Sequence, residues 1–529
     1  MVQKKFNSSE LSRRKFLEFL GLGAVGVSLN TTSLFAQGDV SFKGIKPSSS
    51  DEVVLAEGLN YDILIKWGDS ISKTDFFGTH NDYLAFIPIN KKEGLLWVNH
   101  ESITQKFVTG FGVLNKTKEQ VDKERYNVGG SILKLFYKNS KWHVDKKSNY
   151  NRRITAATKI PFNWPENILG QNFGIGTLGN CAGGVTPWNT ILTCEENYQY
   201  FYGKESYDSG ERKVIPGAYQ WNKYYNYAPE HYGWVVEVNP FTGDSQKLIG
   251  LGRCAHECAT VVKSKKNKIV VYMGDDSTNE CIYKYISAKH NSLKDGTLYV
   301  ADIEKGEWVP LDLDSNDKLK NNFSSQTDLL INLRKAAKII GGTPLDRPED
   351  IEIDKITGNI FISLTGDTSK NNFHGSILKI KEQNGDYCSL KFSSEVFLTG
   401  GQETGFSCPD NLIFDNQGNL WFTSDISGSY MNKKEPYLSF KNNGLFVVKR
   451  NGNNLGKVIQ IASAPIDAEF TGPFFSPDYK TLFLSVQHPG QYSKKDKLTS
   501  NWPSKNNKDI PRSAVITIRG ELLNNINKL

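Results

Sequence analysis

The chain has 529 residues, 46 of them glycine and 12% of them aromatic, with a formal net charge of +7. That length allows one very large β domain or several smaller ones. The charge is modest, and no basic cluster interleaved with aromatics argues for nucleic acid; Lys-rich pieces such as residues 263–268 read as solvated loops. Glycine turns with abundant Tyr, Phe and Trp favour strands over helices.

The N-terminus reads as a targeting segment. Residues 1–36 hold five basic side chains (Lys4, Lys5, Arg13, Arg14, Lys15) and two acidic ones (Glu10, Glu18), so +3 of the charge sits there and +4 on the rest. The apolar run from Phe16 to Leu29 is short for a bilayer span, and Glu18 interrupts it. A basic start, a weakly apolar middle and Ala36 before Gln37 describe a signal peptide. Arg13-Arg14 followed by Phe16-Leu17 makes it a twin-arginine signal rather than an uncleaved anchor. That route exports folded proteins, often ones that take up a cofactor first. A periplasmic or secreted protein is expected, without a membrane anchor after cleavage, and with residues 37–529 as one domain.

From about residue 50 short strands alternate with turns. Six units share one form: a turn with Gly, Asn or Asp, three to five apolar residues, then a polar or acidic cluster. Leu95-Leu96-Trp97-Val98 ends on Asn99-His100-Glu101, and Thr190-Ile191-Leu192-Thr193 ends on Glu195-Glu196. Ile269 to Met273 ends on Asp275-Asp276, and Ile360-Phe361-Ile362 ends near Asp367. Leu420-Trp421-Phe422 ends on Ser424-Asp425, and Leu482-Phe483-Leu484 ends on Gln487-His488. Repeated β units with irregular insertions predict an all-β, six-bladed β-propeller with long loop insertions, each blade giving one such strand. VVEVNPFTG (235–243) and IEIDKITG (351–358) read as hairpin links within blades.

Between the units lie polar segments. Residues 138–153 are basic and read as an exposed hairpin; 201–232 are rich in Tyr and Trp and could cover a site; 327–337 are the most helix-like stretch. No linker separates two domains. The seven cysteines are Cys181, Cys194, Cys254, Cys258, Cys281, Cys388 and Cys408, an odd number that leaves at least one unpaired. No CxxC pair is present, and Cys254 and Cys258 around His256 are a weak zinc signal.

Adjacent carboxylates such as Glu195-Glu196 contribute little to packing unless a cation joins them. One pair alone reads as a solvated strand end; the recurrence points elsewhere. In a propeller these strand ends gather at one end of the channel. Glu101, Glu196, Asp275, Asp276, Asp367, Asp410 and Asp425 would then form a negative site suited to Ca²⁺ or another hard cation. Residues 252–257 (GRCAHE) and 346–350 (DRPED) read as loops with ion pairs when taken alone. In an extended segment, however, Arg347 and Glu349 share a face, which sets a guanidinium beside a metal-binding carboxylate.

Taken together, Asn99-His100-Glu101, CAGGVTPWNTILTCEEN at 181–197, AHE at 255–257, DRPED, CPDN at 408–411 and FSPDYKTLFLSVQHPG at 475–490 resemble the PhoX-type alkaline phosphatases. The matches run from about residue 80 to 490, and their order and combination are specific. The resemblance implies a six-bladed propeller that hydrolyses phosphate monoesters with two Fe³⁺ and three Ca²⁺ ions, a metal-bound oxygen being the nucleophile. By motif match it implies Cys181, Glu196 and Glu257 as iron ligands. Glu349 is implied on the calcium side with Asp367 and Asp410, and Arg347 as the phosphate clamp. Glu196, Glu257 and Arg347 are then the catalytic set. Glu101, Glu195, Asp276, Asp425 and His488 are expected around them. A monomer acting on small phosphorylated substrates, with the twin-arginine machinery as its other partner, is expected.

Three other readings compete. A calcium-dependent propeller lactonase or esterase would share the carboxylates but needs neither Cys181 nor the Arg347–Glu349 pair. A non-enzymatic propeller would turn over no ester. A phosphodiesterase would be a variant of the main reading.

Overall fold

Side-chain alternation sets the architecture. In the strand Asn81–Asn90, Leu84 and Phe86 point one way and Ala85 and Ile87 the other, and all four are buried. A sheet apolar on both faces must be covered on both. Leu84 and Phe86 join Phe483 and Val515 in one core, while Ala85 and Ile87 join Ile191 and Val236 in another. The same division repeats around the molecule. Leu192 and Ile269 share one core, Val270 and Ile362 a second, Phe361 and Phe422 a third, and Trp421 and Phe470 a fourth. Each buried side chain of this size contributes about 2 kcal/mol.

The computed structural model describes residues 43–206, 211–450, 455–506 and 508–526. The twin-arginine segment lies outside them. Six antiparallel sheets of four or five strands form the blades. Their inner strands are Asn81–Asn90, Asn180–Val185, Thr260–Lys263, Pro348–Ile353, Pro409–Phe414 and Glu469–Phe475. Each touches the next, and the last touches the first, so the ring is closed. Chain ends complete it: Asn60–Lys66 is the outer strand of the sixth blade, beside Ala514–Arg519, and Val54–Leu55 edges the fifth.

The six apolar units of the sequence are the six second strands: Glu93–His100, Ile191–Glu195, Lys268–Gly274, Ile360–Leu364, Leu420–Ser424 and Leu482–Gln487. The two TG-containing stretches turn within blades, at Val235–Val238 to Ser245–Lys247 and at Pro348–Ile353 to Ile360–Leu364.

The insertions differ in part from expectation. The hairpin in 138–153 turns at Asn139 and Ser140, both at positive φ, but it is not wholly exposed: Trp142 is buried, and Arg152–Ile154 pairs with the third strand of its blade. The helical stretch is two helices, Gln326–Ile331 and Leu333–Ile339, broken at Asn332. Residues 201–232 pack an aromatic core of Phe201, Tyr202, Trp221 and Tyr232 against Val108 and Val121. Trp221 Nε1 donates to the buried Glu124 at 2.7 Å, so this insertion is anchored to the helix Lys118–Asn127.

Candidate metal centre

The way each blade begins builds the site. At the start of the first inner strand Asn81 pairs with His100, and the next register pair is Leu84 with Val98. Three residues of one strand thus oppose two of the other, which is a β-bulge. The same extra residue follows Asn180, Pro348 and Pro409. It also follows His256, which bridges Asp275 before Thr260 meets Tyr272. In each case the residue just after the pairing is the one aimed into the channel end: Asp82, Cys181, Glu257, Glu349 and Asp410. In the sixth blade the bulge comes later, after Thr471, and Glu469 opens the strand.

A second regularity precedes these residues. His80, Gly179, Arg347, Cys408 and Asp467 each lie two positions before the aimed side chain, and all five have φ between 47° and 63°. Left-handed backbone at four non-glycine residues costs about 1 kcal/mol or more each. Such strain persists only where the surrounding structure enforces it, and here it bends the chain so that the strand starts point inward.

The second strands supply the other half. The residue after each pairing is Glu101, Glu196, Asp276, Thr365 and Asp425 in the first five blades, and His488 follows the Glu469–Gln487 pair in the sixth. Ligand atoms of Cys181, Glu196 and Glu257 lie within 4.8 Å of one another, as do those of Glu257, Asp276 and Glu349. Cys181 Sγ is 3.2 Å from Glu257 Oε1 and 3.6 Å from Asp82 Oδ2.

Four of the acids are steered by neutral neighbours. Asn197 Nδ2 donates to Glu196 at 2.7 Å and Thr365 Oγ1 to Glu349 at 2.5 Å. Gln487 Nε2 donates to Asp82 and Glu101 at 2.7 and 3.1 Å. Asn99 Nδ2 donates to the carbonyls of Cys181 and Ala182, which holds the thiol strand in place. One guanidinium enters. Arg347 donates from Nε and Nη2 to Asp276 at 2.9 Å each, and Nη2 is 2.7 Å from Glu349 Oε1. Its Nη1 is 3.7 Å from Asp425.

These charges are not balanced. Burial first, then neighbouring acids, pushes the carboxyls of Asp82, Glu196, Glu257, Asp410 and Glu469 well above the usual range. Burial does the same to Glu349, although Arg347 opposes it, and raises the Cys181 thiol. Asp82 Oδ1 is buried and has no hydrogen-bond partner. Uncompensated buried acids of this number fit cations. An all-oxygen set of carboxylates suits a hard cation, and a thiolate among them suits a transition metal.

The expected residues divide. Cys181, Glu196, Glu257, Glu349, Asp410 and Arg347 come together, with Glu101, Asp276 and Asp425 at their side. A carboxylate oxygen of Asp276 lies within 4.8 Å of those of Glu257 and Glu349. His488 reaches Glu469 at 3.2 Å. Two of the expected residues are placed apart from this group. Asp367 lies beyond the blade-four ligand position, which Thr365 occupies, and its carboxylate caps Ser369 and pairs with Lys370 at 3.4 Å. Glu195 points to the other side of its strand, into a buried pair with Lys247 at 2.7 Å. Asp275 is likewise engaged elsewhere, by Arg334, and Arg253 by Glu205. Arg347 itself is not extended; its positive φ turns the guanidinium back onto Glu349. Sequence reasoning missed Asp82 and Glu469. The signal available for them was the acid two residues after a turn residue and just before an apolar run, as in Cys181 and Asp410.

A cavity of about 370 Å³ opens over this centre, with Arg347, Glu101, Asp425, Glu469, His80 and His488 on its lining.

The alkaline phosphatase PhoX family model matches residues 40–490. Among solved structures, Pseudomonas fluorescens PhoX in complex with vanadate, a transition state analogue, is 27% identical with a TM-score of 0.82, covering 91% of this chain and 98% of that one. A Xanthomonas campestris gluconolactonase has a TM-score of 0.33 at 10% identity, over 90% of this chain and 100% of that one. A Trypanosoma rangeli sialidase has 0.37 at 9%, over 90% and 61%. Those two likenesses carry no argument. No match was found among curated proteins.

Proposed function

The chain belongs to the PhoX family of alkaline phosphatases, and on that premise we propose how its channel end works. The protein is a phosphatase, a phosphoric monoester hydrolase. The observation that carries the site reading is the excess of buried carboxylates around one guanidinium at the floor of an open cavity. Cys181, Glu196 and Glu257 would hold iron, and Asp276, Glu349 and Asp410 calcium, with Asp82, Glu101, Asp425 and Glu469 completing the two sets. Two Fe³⁺ and three Ca²⁺ ions are the proposed complement. When bound, these cations supply Lewis-acid activation and neutralise charge on the phosphoryl oxygens.

The chain's own residues do the rest. Arg347 holds a planar fork at the cavity floor and takes a phosphoryl oxygen, sharing the substrate with the cations. Its carboxylate partners and its strained backbone fix that fork before substrate arrives, which is preorganisation. Thr365, Asn197 and Gln487 hold the acids in place. The lactonase reading has no use for the Cys181 thiol or the Arg347–Glu349 contact, and both lie in this site.

Export through the twin-arginine route fits a further observation. None of the seven cysteines is disulfide-bonded, and Cys194, Cys254, Cys258, Cys281 and Cys408 are buried. A chain that folds before meeting an oxidising compartment keeps such thiols reduced. Among the described residues no helix is long and apolar enough to cross a membrane. A periplasmic or secreted location follows from this reading. A monomer acting on small phosphorylated substrates is proposed with it.

The test is elemental analysis of the mature protein, paired with p-nitrophenyl phosphate turnover before and after chelation. Iron and calcium together, with turnover lost on chelation, support the proposal. Calcium without iron would remove Cys181 from the ligands.

A further inference from the structure

Residues 44–55 form a strap along the edge of the fifth blade, and their contacts reach further than that blade needs. The strap is seated at both ends. Ile45 N donates to the Gln460 carbonyl at 2.9 Å, and Ala56 N to that of Ile461 at 2.8 Å. A β-carbon at Gly44 would come within 2.6 Å of Ile459 and 2.8 Å of the Gln460 carbonyl, so a residue with a side chain would lift this end. Between the ends the strap meets the corner where the fifth blade passes to the sixth. The buried Asn442 donates from its backbone to the Ser48 carbonyl at 3.0 Å and from Nδ2 to the Ser50 carbonyl at 3.0 Å. Asp51 then sets its carboxylate between the backbones of two loops. Oδ2 accepts from Asn501 N at 3.0 Å, and Oδ1 from Ile466 N at 3.3 Å. Hydrogen bonds to an ionised acceptor are the strong ones, so this carboxylate ties the two loops together.

Those loops hold one side of the metal centre. Ile466 precedes Asp467, the left-handed residue two positions before Glu469. Asp467 Oδ2 accepts from Thr499 Oγ1 on the second loop at 2.5 Å, and its carbonyl meets His488 Nδ1 at 2.9 Å. His488 Nε2 is 3.2 Å from Glu469 Oε1. The neighbour of Asn442 does the same for the fifth blade. Asn443, also buried, accepts at Oδ1 from the backbone of Ile426 at 2.7 Å, the residue after Asp425. The strap therefore backs the corner from which Asp425 and Glu469 reach the channel end.

We propose that Asp51 is a positioning residue for the metal centre, and that docking of the strap and binding of the cations are linked. Asp51 acts on Glu469 through Ile466, Asn501 and Asp467. The inference rests on the reading of the channel end as a metal centre. Linkage is reciprocal: whatever the docked strap adds to cation affinity, the bound cations return to the strap.

The test uses the metal-loaded full chain. In Asp51→Asn, which keeps the shape but turns an amide toward one of the two N–H groups, the chelator concentration that removes half of the bound metal should fall about tenfold, as when the support behind a ligand is lost. Leu55→Ala loosens the same strap by trimming a side chain that packs on the core between the fifth and sixth blades. It should lower Tm yet leave that chelator concentration within about twofold. Hydrogen exchange gives a second readout. In the unaltered protein chelation should speed exchange of the amides in 44–56 and 464–469, whereas in Asp51→Asn those amides should exchange fast with or without metal. Equal metal loss from Asp51→Asn and Leu55→Ala overturns the proposal, because general loosening then explains both, and so does strap exchange that ignores chelation. Failure of the metal-centre reading looks different: the unaltered protein itself carries no iron or calcium. Exchange at 464–469 then still decides the role of Asp51. Faster exchange in Asp51→Asn than in the unaltered chain supports it, and equal exchange overturns it.

Discussion

Glu195 and Glu196 leave one strand end on opposite sides, and both are buried. Glu195 meets the fully buried Lys247 at 2.7 and 3.0 Å and accepts from the backbone of Gly233 and Trp234. Its charge is answered inside the chain. Glu196 faces Glu101, Asp276 and Glu349, and the neutral Asn197 donates to it, with no cation of the fold paired to it among the described residues. Glu382 repeats the first arrangement, with Lys284 at 2.8 Å and donors from Tyr272 and Trp308. A buried acid paired by the fold is architecture. A buried acid left for an outside cation is a binding site, and the chain spends stability to keep it.

Removing the cations should break this comparison most strongly. Chelation is expected to abolish turnover of p-nitrophenyl phosphate and to lower Tm, because only one of the two acid regions loses its counter-charge. The pH dependence supplies the sign. In the metal-free protein, burial holds the folded-state pKa values of Asp82, Glu196, Glu257 and Glu349 above their unfolded values. The folded state then binds more protons, and stability present below about pH 4 is lost as the pH rises through the raised values. Thermal melts of chelated protein should therefore show a higher Tm at acid than at neutral pH. The loaded protein should lack that trend.

Arg347 comes next. Arg347→Ala should lower kcat/KM about 100-fold, near 3 kcal/mol, the scale of a lost oxyanion donor. Arg347→Lys should recover little, since an ammonium cannot reproduce the fork that spans Asp276 and Glu349. Inorganic phosphate should inhibit both variants less. A variant that keeps its rate and its phosphate inhibition would take Arg347 out of substrate binding.

The two neighbouring glutamates can be set directly against each other. Glu195→Ala strands Lys247 without a counter-charge and should cost about 3 kcal/mol in urea unfolding, with the iron and calcium content unchanged at low temperature. The pair replacement Glu195→Leu with Lys247→Met should recover most of it. Glu196→Gln should do the reverse, losing iron and turnover while stabilising the metal-free chain. Equal loss of metal in both variants would erase the distinction.

How much of this was legible depends on the kind of signal. The second strands announce themselves, since each is an apolar run closed by polar residues, and all six lie where the sequence puts them. The family motifs bring Cys181, Glu196, Glu257, Glu349 and Asp410 to one place. What composition hides is register. The bulge that aims Asp82 is a mismatch of one residue between two strands, visible only once Asn81 is seen opposite His100. Glu469 follows a left-handed Asp467 and looks in sequence like an ordinary loop acid. The side of the strand is equally silent. Nothing in the letters Glu195-Glu196 says which one meets Lys247, a residue 52 positions away.

Asp367 and Asp410 give the finest version of the same contrast, and the smallest effect. Both are acids near strand ends on the site face. Asp410 lies beside Glu349 and Glu469, and burial raises its carboxyl. Asp367 accepts from the amide and hydroxyl of Ser369 and sits by Lys370, and these partners hold its carboxyl below the usual range although burial opposes them. The blade-four ligand position belongs to Thr365, which donates to Glu349. Asp367→Asn should therefore leave metal content intact and cost about 1 kcal/mol as a weakened cap. Asp410→Asn should lower calcium content and turnover together. Calcium analysis of the two variants side by side reads the difference, and loss of calcium from Asp367→Asn would return that residue to the site.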